Sequence, residues 1–280
     1  MKRGLRLLAL AAAAALALVA LPASAEHDSN YLALGDSYAF AYSPLLDPTS
    51  AANFRGYADI TAQALDLSLT NAACPGETSG SMISGTPPDN GCHEFYPPLP
   101  LHVSYTGSQL AYAVNFLRTH DHVQLVSVQI GGNDLLVLEA TCRGDVSCII
   151  SGLPGVEAQL AANLNTIYSA IRDKAHYRHT IVALGYFAFN YNDPNQVAVV
   201  ASLDAVEASV AASYHARVAD VFGAFALASA PSGIPCLAGL QVQLPTGGCD
   251  IHPSAAGHAV YTKALLEVVP RGEAVEAQAS

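Results

Sequence analysis

Apolar and polar positions fall into two alternating kinds of segment along this chain. Short apolar runs occur at 31–34, 67–72, 123–130, 180–185 and 217–222, and the third is the most continuous, with Val123, Leu125, Val126, Val128 and Ile130 within eight residues. Runs of this length and composition are the pattern of strands buried on both faces. Between them apolar residues recur at helical spacing: Phe54, Tyr57, Ala58 and Leu65 in 53–65, Leu110, Val114 and Leu117 in 107–120, and Val156, Leu160, Leu164, Ile167 and Ile171 in 154–172. An alanine-rich helix is predicted at 195–214, and a last one carries Ala259, Val260, Leu265 and Val268. Strands alternating with helices predict an α/β protein, a three-layer α/β/α sandwich around a central parallel sheet of about five strands.

Five stretches break the pattern. Residues 39–50, 80–101 and 236–249 are read as loops, the second long enough to be functional or cross-linked. Residues 271–280 lack apolar periodicity and are expected to form a flexible tail. At the other end, Lys2, Arg3 and Arg6 precede an apolar run from Leu7 to Leu21 and the small residues Ala23 and Ala25, the layout of a secretory signal peptide over 1–25. That run is short for a membrane span, so no stable anchor is expected. Residues 26–270 are left as one domain, because no linker or repeat divides them.

Charge and cysteines narrow the function classes. Without residues 1–25 the chain has nine Lys and Arg against 23 Asp and Glu, a net of −14, which repels nucleic acid and anionic membrane surfaces. All six cysteines (Cys74, Cys92, Cys142, Cys148, Cys236 and Cys249) follow the signal, and an exported chain with an even count predicts disulfides. About fifteen pairings are open to six cysteines; the expectation is nearest neighbours, 74 with 92, 142 with 148 and 236 with 249. The two-residue cysteine spacing of a structural zinc site is missing, and His120, His122, His176 and His179 flank helix ends without ligand-spaced partners, so no metal is expected.

Polar, glycine-bearing blocks sit where the strands end: Gly35-Asp36-Ser37-Tyr38 after the first, Cys74-Pro75-Gly76-Glu77 after the second and Gly131-Gly132-Asn133-Asp134 after the third. Asp250-Ile251-His252-Pro253 precedes the last helix. Open α/β sheets bind ligands at this C-terminal edge. A serine hydroxyl there becomes a nucleophile if an imidazole takes its proton, which makes Ser37 and His252 a candidate pair that must come within hydrogen-bonding reach. Asp36 and Asp134 are expected to organise the turns that carry Ser37 and Asn133, and His258 to lie on the last helix facing solvent or core.

In this order the four blocks resemble the SGNH (GDSL-type) hydrolases, specifically the secreted bacterial esterase and lipase branch, and the resemblance runs from Tyr31 to about Val269. It implies a flavodoxin-like fold, Ser37 as nucleophile, His252 as base, and an oxyanion hole made by the backbone N–H groups of Ser37 and Gly76 with the Asn133 amide. It also implies ester hydrolysis with no cofactor. One position departs from the family pattern: the usual acid, three residues before the histidine, is Cys249 here. Asp250, two before, shares a face with His252 in an extended segment and is the expected third member; the Cys249 backbone carbonyl is the alternative.

The expected activity is a secreted carboxylic ester hydrolase acting as a monomer on lipid or short-to-medium acyl esters, with segments 39–50 and 80–101 as pocket walls. The alternatives are an acetylxylan-type carbohydrate deacetylase and a non-catalytic lipid- or carbohydrate-binding protein on the same fold. The sequence has no Gly-x-Ser-x-Gly elbow, phosphate loop, dinucleotide fingerprint or zinc-protease helix.

Overall fold

The five apolar runs pair edge to edge in a single parallel sheet. In the computed structural model, which describes residues 29–93 and 99–270, they are β1 (Asn30–Gly35), β2 (Ser68–Asn71), β3 (Val123–Gln129), β4 (Thr180–Leu184) and β5 (Arg217–Ala219), in the order β2-β1-β3-β4-β5. The signal at 1–25 and the tail at 271–280 lie outside the described residues.

Both faces of the sheet are covered, which is why the strands read as runs rather than as alternation. Tyr31, Ala33, Leu125, Val182 and Leu184 point to one face and pack with α2 (Tyr57–Leu65), α8 (Val221–Ala228) and α9 (Ala255–Val268). Leu32, Leu34, Val126, Val128, Ile181 and Ala183 point to the other, against α4 (Gln109–Thr119), α6 (Val146–Ser169) and α7 (Pro194–Ser213). The strand order is that of a flavodoxin-like fold, whose switch point lies between β1 and β3.

Elements the apolar pattern did not announce surround that edge. A four-residue helix, α1 (Ser37–Phe40), follows β1 directly, and α3 (Ser79–Ser84) occupies the start of the segment read as loop 80–101. The third block opens α5 (Gly132–Cys142) rather than a turn. Its partner α6 begins at Val146, where Asp145 accepts from the backbone N–H of Ser147 and Cys148 (2.9 and 3.3 Å), so Pro154 lies inside this helix and does not start it. The run at 217–222 splits because Asp220 caps α8 by accepting from Gly223 N–H at 2.8 Å. Beyond it, β6 (Gln241–Gln243) and β7 (Cys249–Pro253) form an antiparallel pair where a loop was expected.

The disulfides join Cys74 to Cys92, Cys142 to Cys148 and Cys236 to Cys249, the nearest-neighbour pairing. A cross-link closing a loop of about fifteen residues contributes about 3 kcal/mol. Cys74–Cys92 ties the end of β2 to the segment after α3, Cys142–Cys148 joins α5 to the first turn of α6, and Cys236–Cys249 anchors the strand that carries His252.

Candidate active site

β1 delivers Ser37 to the sheet edge and Asp36 fixes how it arrives. Asp36 caps α1, with Oδ1 accepting from Tyr38 N–H at 2.9 Å. Tyr38 then ties this helix to β7: its hydroxyl donates to the Ile251 carbonyl at 2.6 Å, and its ring meets the His252 ring edge-on at 5.6 Å between centroids. Ser37 and His252, 215 positions apart in the chain, are thereby carried on elements that touch, each 8% exposed. No hydrogen bond joins Ser37 Oγ to the imidazole among the described residues.

The imidazole is held from its other side. Both the His252 Nδ1 and its backbone N–H, the latter at 3.1 Å, bond the same Asp250 carboxylate oxygen. The extended conformation of β7 brings this about by turning residues 250 and 252 to one side. Burial would raise the Asp250 carboxyl, but the hydrogen bond and charge of His252 outweigh it and hold it below the usual carboxylate range. The Nδ1 partner is thus the carboxylate of Asp250.

Gly76 and Asn133 approach the same edge. Gly76 has φ +83°, and a Cβ there would meet Asn90 O at 2.3 Å, while Gly76 O accepts from Asn90 N–H at 2.7 Å. Only glycine allows that close passage. Neither the Ser37 nor the Gly76 backbone N–H has an acceptor among the described residues. Asn133 bridges the first two blocks: Nδ2 donates to Glu77 O at 3.0 Å and toward Asp36 Oδ2 at 3.4 Å, while Oδ1 accepts from Asn90 Nδ2 at 3.0 Å.

Three side chains that pattern reasoning did not single out support this edge. Gln109 clamps the backbone of Gly35, accepting from its N–H at 2.7 Å and donating to its carbonyl at 2.9 Å, and also donates to Glu77 at 3.1 Å. Glu77 accepts from Ser81 Oγ at 2.5 Å. Tyr186 donates to Asp36 Oδ2 at 2.5 Å. Gln109 and Glu77 left no trace in the hydropathy pattern, whereas Tyr186 was findable as the second residue past the end of β4, at the edge where open sheets bind ligands. Asp134, expected to organise the turn that carries Asn133, instead ties its block to α3, accepting from the Ser79 N–H (2.8 Å) and hydroxyl (2.6 Å). His258 is buried, and accepts from Tyr57 N–H through Nδ1 at 3.3 Å. Cys74, Glu77 and Cys92 cluster at metal-ligand separation, but both sulfurs are committed to the disulfide.

A cavity of about 430 Å³ opens beside Ser37 and Asn133. Its walls are Leu135, Leu136 and Glu139 of α5, Val146, Ile149 and Ile150 of α6, Tyr186, Phe187 and Phe189 after β4, and Gln196, Val199, Val200 and Leu203 of α7. No described residue of the segments 39–50 and 80–101, expected to form the walls, lines it. Residues of α5 and α6 take their place.

Burial leaves several carboxyls holding protons more tightly than in the unfolded chain: Asp36 is pushed up to about 6, Glu77 and Asp204 to about 7, and Glu207 is also raised well above the usual carboxylate range. The native state then binds more protons than the unfolded one, so stability falls as pH rises through these values. Two groups act in the opposite sense at lower pH: burial lowers His258 to about 4, destabilising the fold as pH drops below about 6.5, and Asp250 does so below the carboxylate range. Above pH 6.5 only the raised carboxyls act, and the unfolding midpoint is expected to fall by roughly 5 °C between pH 6.5 and 8.5. Scanning calorimetry across that range tests this; a flat or rising midpoint contradicts it, and Glu207→Gln should flatten the slope.

Solved structures share this architecture at low identity. A phospholipase A1 from Streptomyces albidoflavus NA297 is 23% identical, with a TM-score of 0.59 over 85% of this chain and 98% of that one. An extracellular lipase from Streptomyces rimosus is also 23% identical (TM-score 0.58, covering 86% and 100%). An acetylxylan esterase from Geobacillus stearothermophilus is 15% identical (TM-score 0.54, covering 85% and 93%). No curated protein matches the sequence. At these identities the likeness is one of fold. The family signature is carried by the sequence itself: the pattern of the GDSL-like lipases and acylhydrolases matches residues 33–260, from within β1 into α9 and across all four blocks, and the chain belongs to that family of ester-hydrolysing enzymes.

Proposed function

We propose that this is an exported serine hydrolase that cleaves carboxylic esters with short-to-medium acyl chains. The observation that carries the reading is the imidazole of His252, held on the Asp250 carboxylate beside the helix bearing Ser37, which itself lines an apolar-walled cavity. Ser37 Oγ attacks the acyl carbon as its proton passes to His252 Nε2, and Asp250 stabilises the imidazolium that forms. This requires the Ser37 hydroxyl to turn toward the imidazole, a contact that commonly tightens only with substrate bound. The acyl oxygen, as it gains charge, is met by the N–H groups of Ser37 and Gly76 and by the Asn133 amide. His252 then protonates the departing alcohol, and water repeats the sequence on the acyl-enzyme.

The cavity supports an aliphatic acyl group over a sugar. Its walls are mostly Leu, Ile, Val and Phe, and at its outer part Val146, Ile150 and Phe189 remain 55, 54 and 36% exposed. Export is supported by three disulfides in a chain that opens with a signal-like segment. Turnover of p-nitrophenyl esters of increasing acyl length tests the reading, with acetylated xylan beside them and Ser37→Ala as control. Highest kcat/KM on the short-to-medium aliphatic esters is expected. Preference for acetylated xylan indicates a deacetylase, and no turnover by the unmodified protein indicates a binding protein.

The Cys142–Cys148 bridge joins α5 to α6, both of which wall the cavity. Graded reduction is therefore expected to raise KM for longer acyl esters before far-UV circular dichroism changes. Loss of activity in step with loss of ellipticity would count against this wall.

A further inference from the structure

Tyr186 is built into the site more firmly than a wall residue requires. Its backbone N–H donates to Asp204 Oδ1 at 3.0 Å, its ring tilts against Tyr38 at 5.5 Å between centroids, and its hydroxyl donates to Asp36 Oδ2 at 2.5 Å. Two glycines clear its place. A Cβ on Gly132 would come within 2.6 Å of the Tyr186 ring, and one on Gly185 within 2.4 Å of the Asp204 carboxylate that receives the Tyr186 N–H.

The consequence falls on Asn133. Its amide is oriented by its neighbours, because Oδ1 faces a donor, Asn90 Nδ2, and Nδ2 faces two acceptors, Glu77 O and Asp36 Oδ2. One Nδ2 proton is well used at 3.0 Å, and the other reaches only to 3.4 Å from Asp36 Oδ2, the outer limit of a hydrogen bond. A buried carboxylate oxygen with no better donor would draw that proton in to about 2.8 Å. The phenol of Tyr186 already holds this oxygen with the shorter bond.

We infer that Tyr186 is a positioning residue: by occupying Asp36 Oδ2 it keeps the second Asn133 proton available for the acyl oxygen of the substrate. Without the phenol, Asn133 closes onto Asp36 and is withdrawn from the place where negative charge develops. The inference rests on the reading of Asn133 as an oxyanion donor, and its effect is on the transition state, so it should appear in kcat and not in KM.

The test is a double-mutant cycle on p-nitrophenyl butyrate with Tyr186→Phe, Asn133→Ala and the double variant, all as full-length protein. Tyr186→Phe keeps the ring and removes one oxygen; it is expected to lower kcat about tenfold or more with KM within about twofold. Asn133→Ala is expected to lower kcat about a hundredfold, and adding Tyr186→Phe to it should lower kcat no further. Tyr186→Phe leaving kcat unchanged, or its effect multiplying undiminished onto Asn133→Ala, would overturn the inference while leaving the oxyanion assignment intact. An Asn133→Ala variant with unaltered kcat would overturn the assignment itself. A crystal structure of Tyr186→Phe gives a readout independent of rate: the separation of Asn133 Nδ2 from Asp36 Oδ2 should contract from 3.4 Å toward 2.9 Å, and an unchanged separation contradicts the proposed competition.

Discussion

Ser37→Ala is expected to lower kcat on p-nitrophenyl esters by about four orders of magnitude or more, with no loss of thermal stability. The size follows from the proposed chemistry: without the hydroxyl no acyl-enzyme forms, and only the oxyanion donors and binding remain to assist water. The unchanged stability follows from the structure, in which Ser37 Oγ makes no hydrogen bond among the described residues and its removal leaves no buried partner unsatisfied. Kinetics on purified variant and parent, with calorimetry on both, measure the two halves together. A variant retaining more than a few per cent of the parental rate would remove Ser37 from the mechanism.

The second large effect concerns the residue that breaks the family spacing. Asp250→Asn is expected to lower kcat by roughly 10³- to 10⁴-fold while KM changes little. The amide oxygen can still accept from the His252 N–H, so the backbone of β7 keeps its turn. What is lost is the charge that stabilises the imidazolium and the group that fixes which ring nitrogen carries the proton. Because Asp250 is held below the usual carboxylate range, it remains ionised throughout the range in which an esterase would be assayed. Were the Cys249 carbonyl the orienting group, the same substitution would cost less than about tenfold.

Much of this architecture was legible in the sequence for a physical reason. A strand covered on both faces must be apolar at consecutive positions, and β3 could be read from Val123, Leu125, Val126 and Val128 alone. The first three blocks of the candidate site were legible because each ends such a run with a glycine and a polar side chain. The position of Asp250 was accessible by the same logic, since residues two apart on a strand share a face.

What escaped was determined by contacts far apart in sequence. Leu135 and Leu136 of α5 line the cavity, Leu135 touching the core as well, and the helix buries no leucine fully, so it lacks the stripe that marks a core helix. Pro154 looked like a helix start because proline is favoured in the first turn, yet the Asp145 cap nine residues upstream sets the boundary. Val146, Ile150 and Phe189 could not be told from core residues by type, although their exposure makes them the outer wall of the cavity. Tyr186 and Asp36 are joined across 150 residues by one hydrogen bond, which no local pattern encodes.

The most direct test of the central claim is the crystal structure of the protein after reaction with a p-nitrophenyl alkylphosphonate, which traps the tetrahedral geometry on the attacking oxygen. Phosphorus should be bonded to Ser37 Oγ, with one phosphoryl oxygen within about 3.2 Å of the Ser37 and Gly76 nitrogens and of Asn133 Nδ2, and the alkyl chain lying along α5 and α7. A phosphonate attached to any other residue, or a Ser37 adduct whose oxygen points away from those three donors, would contradict it.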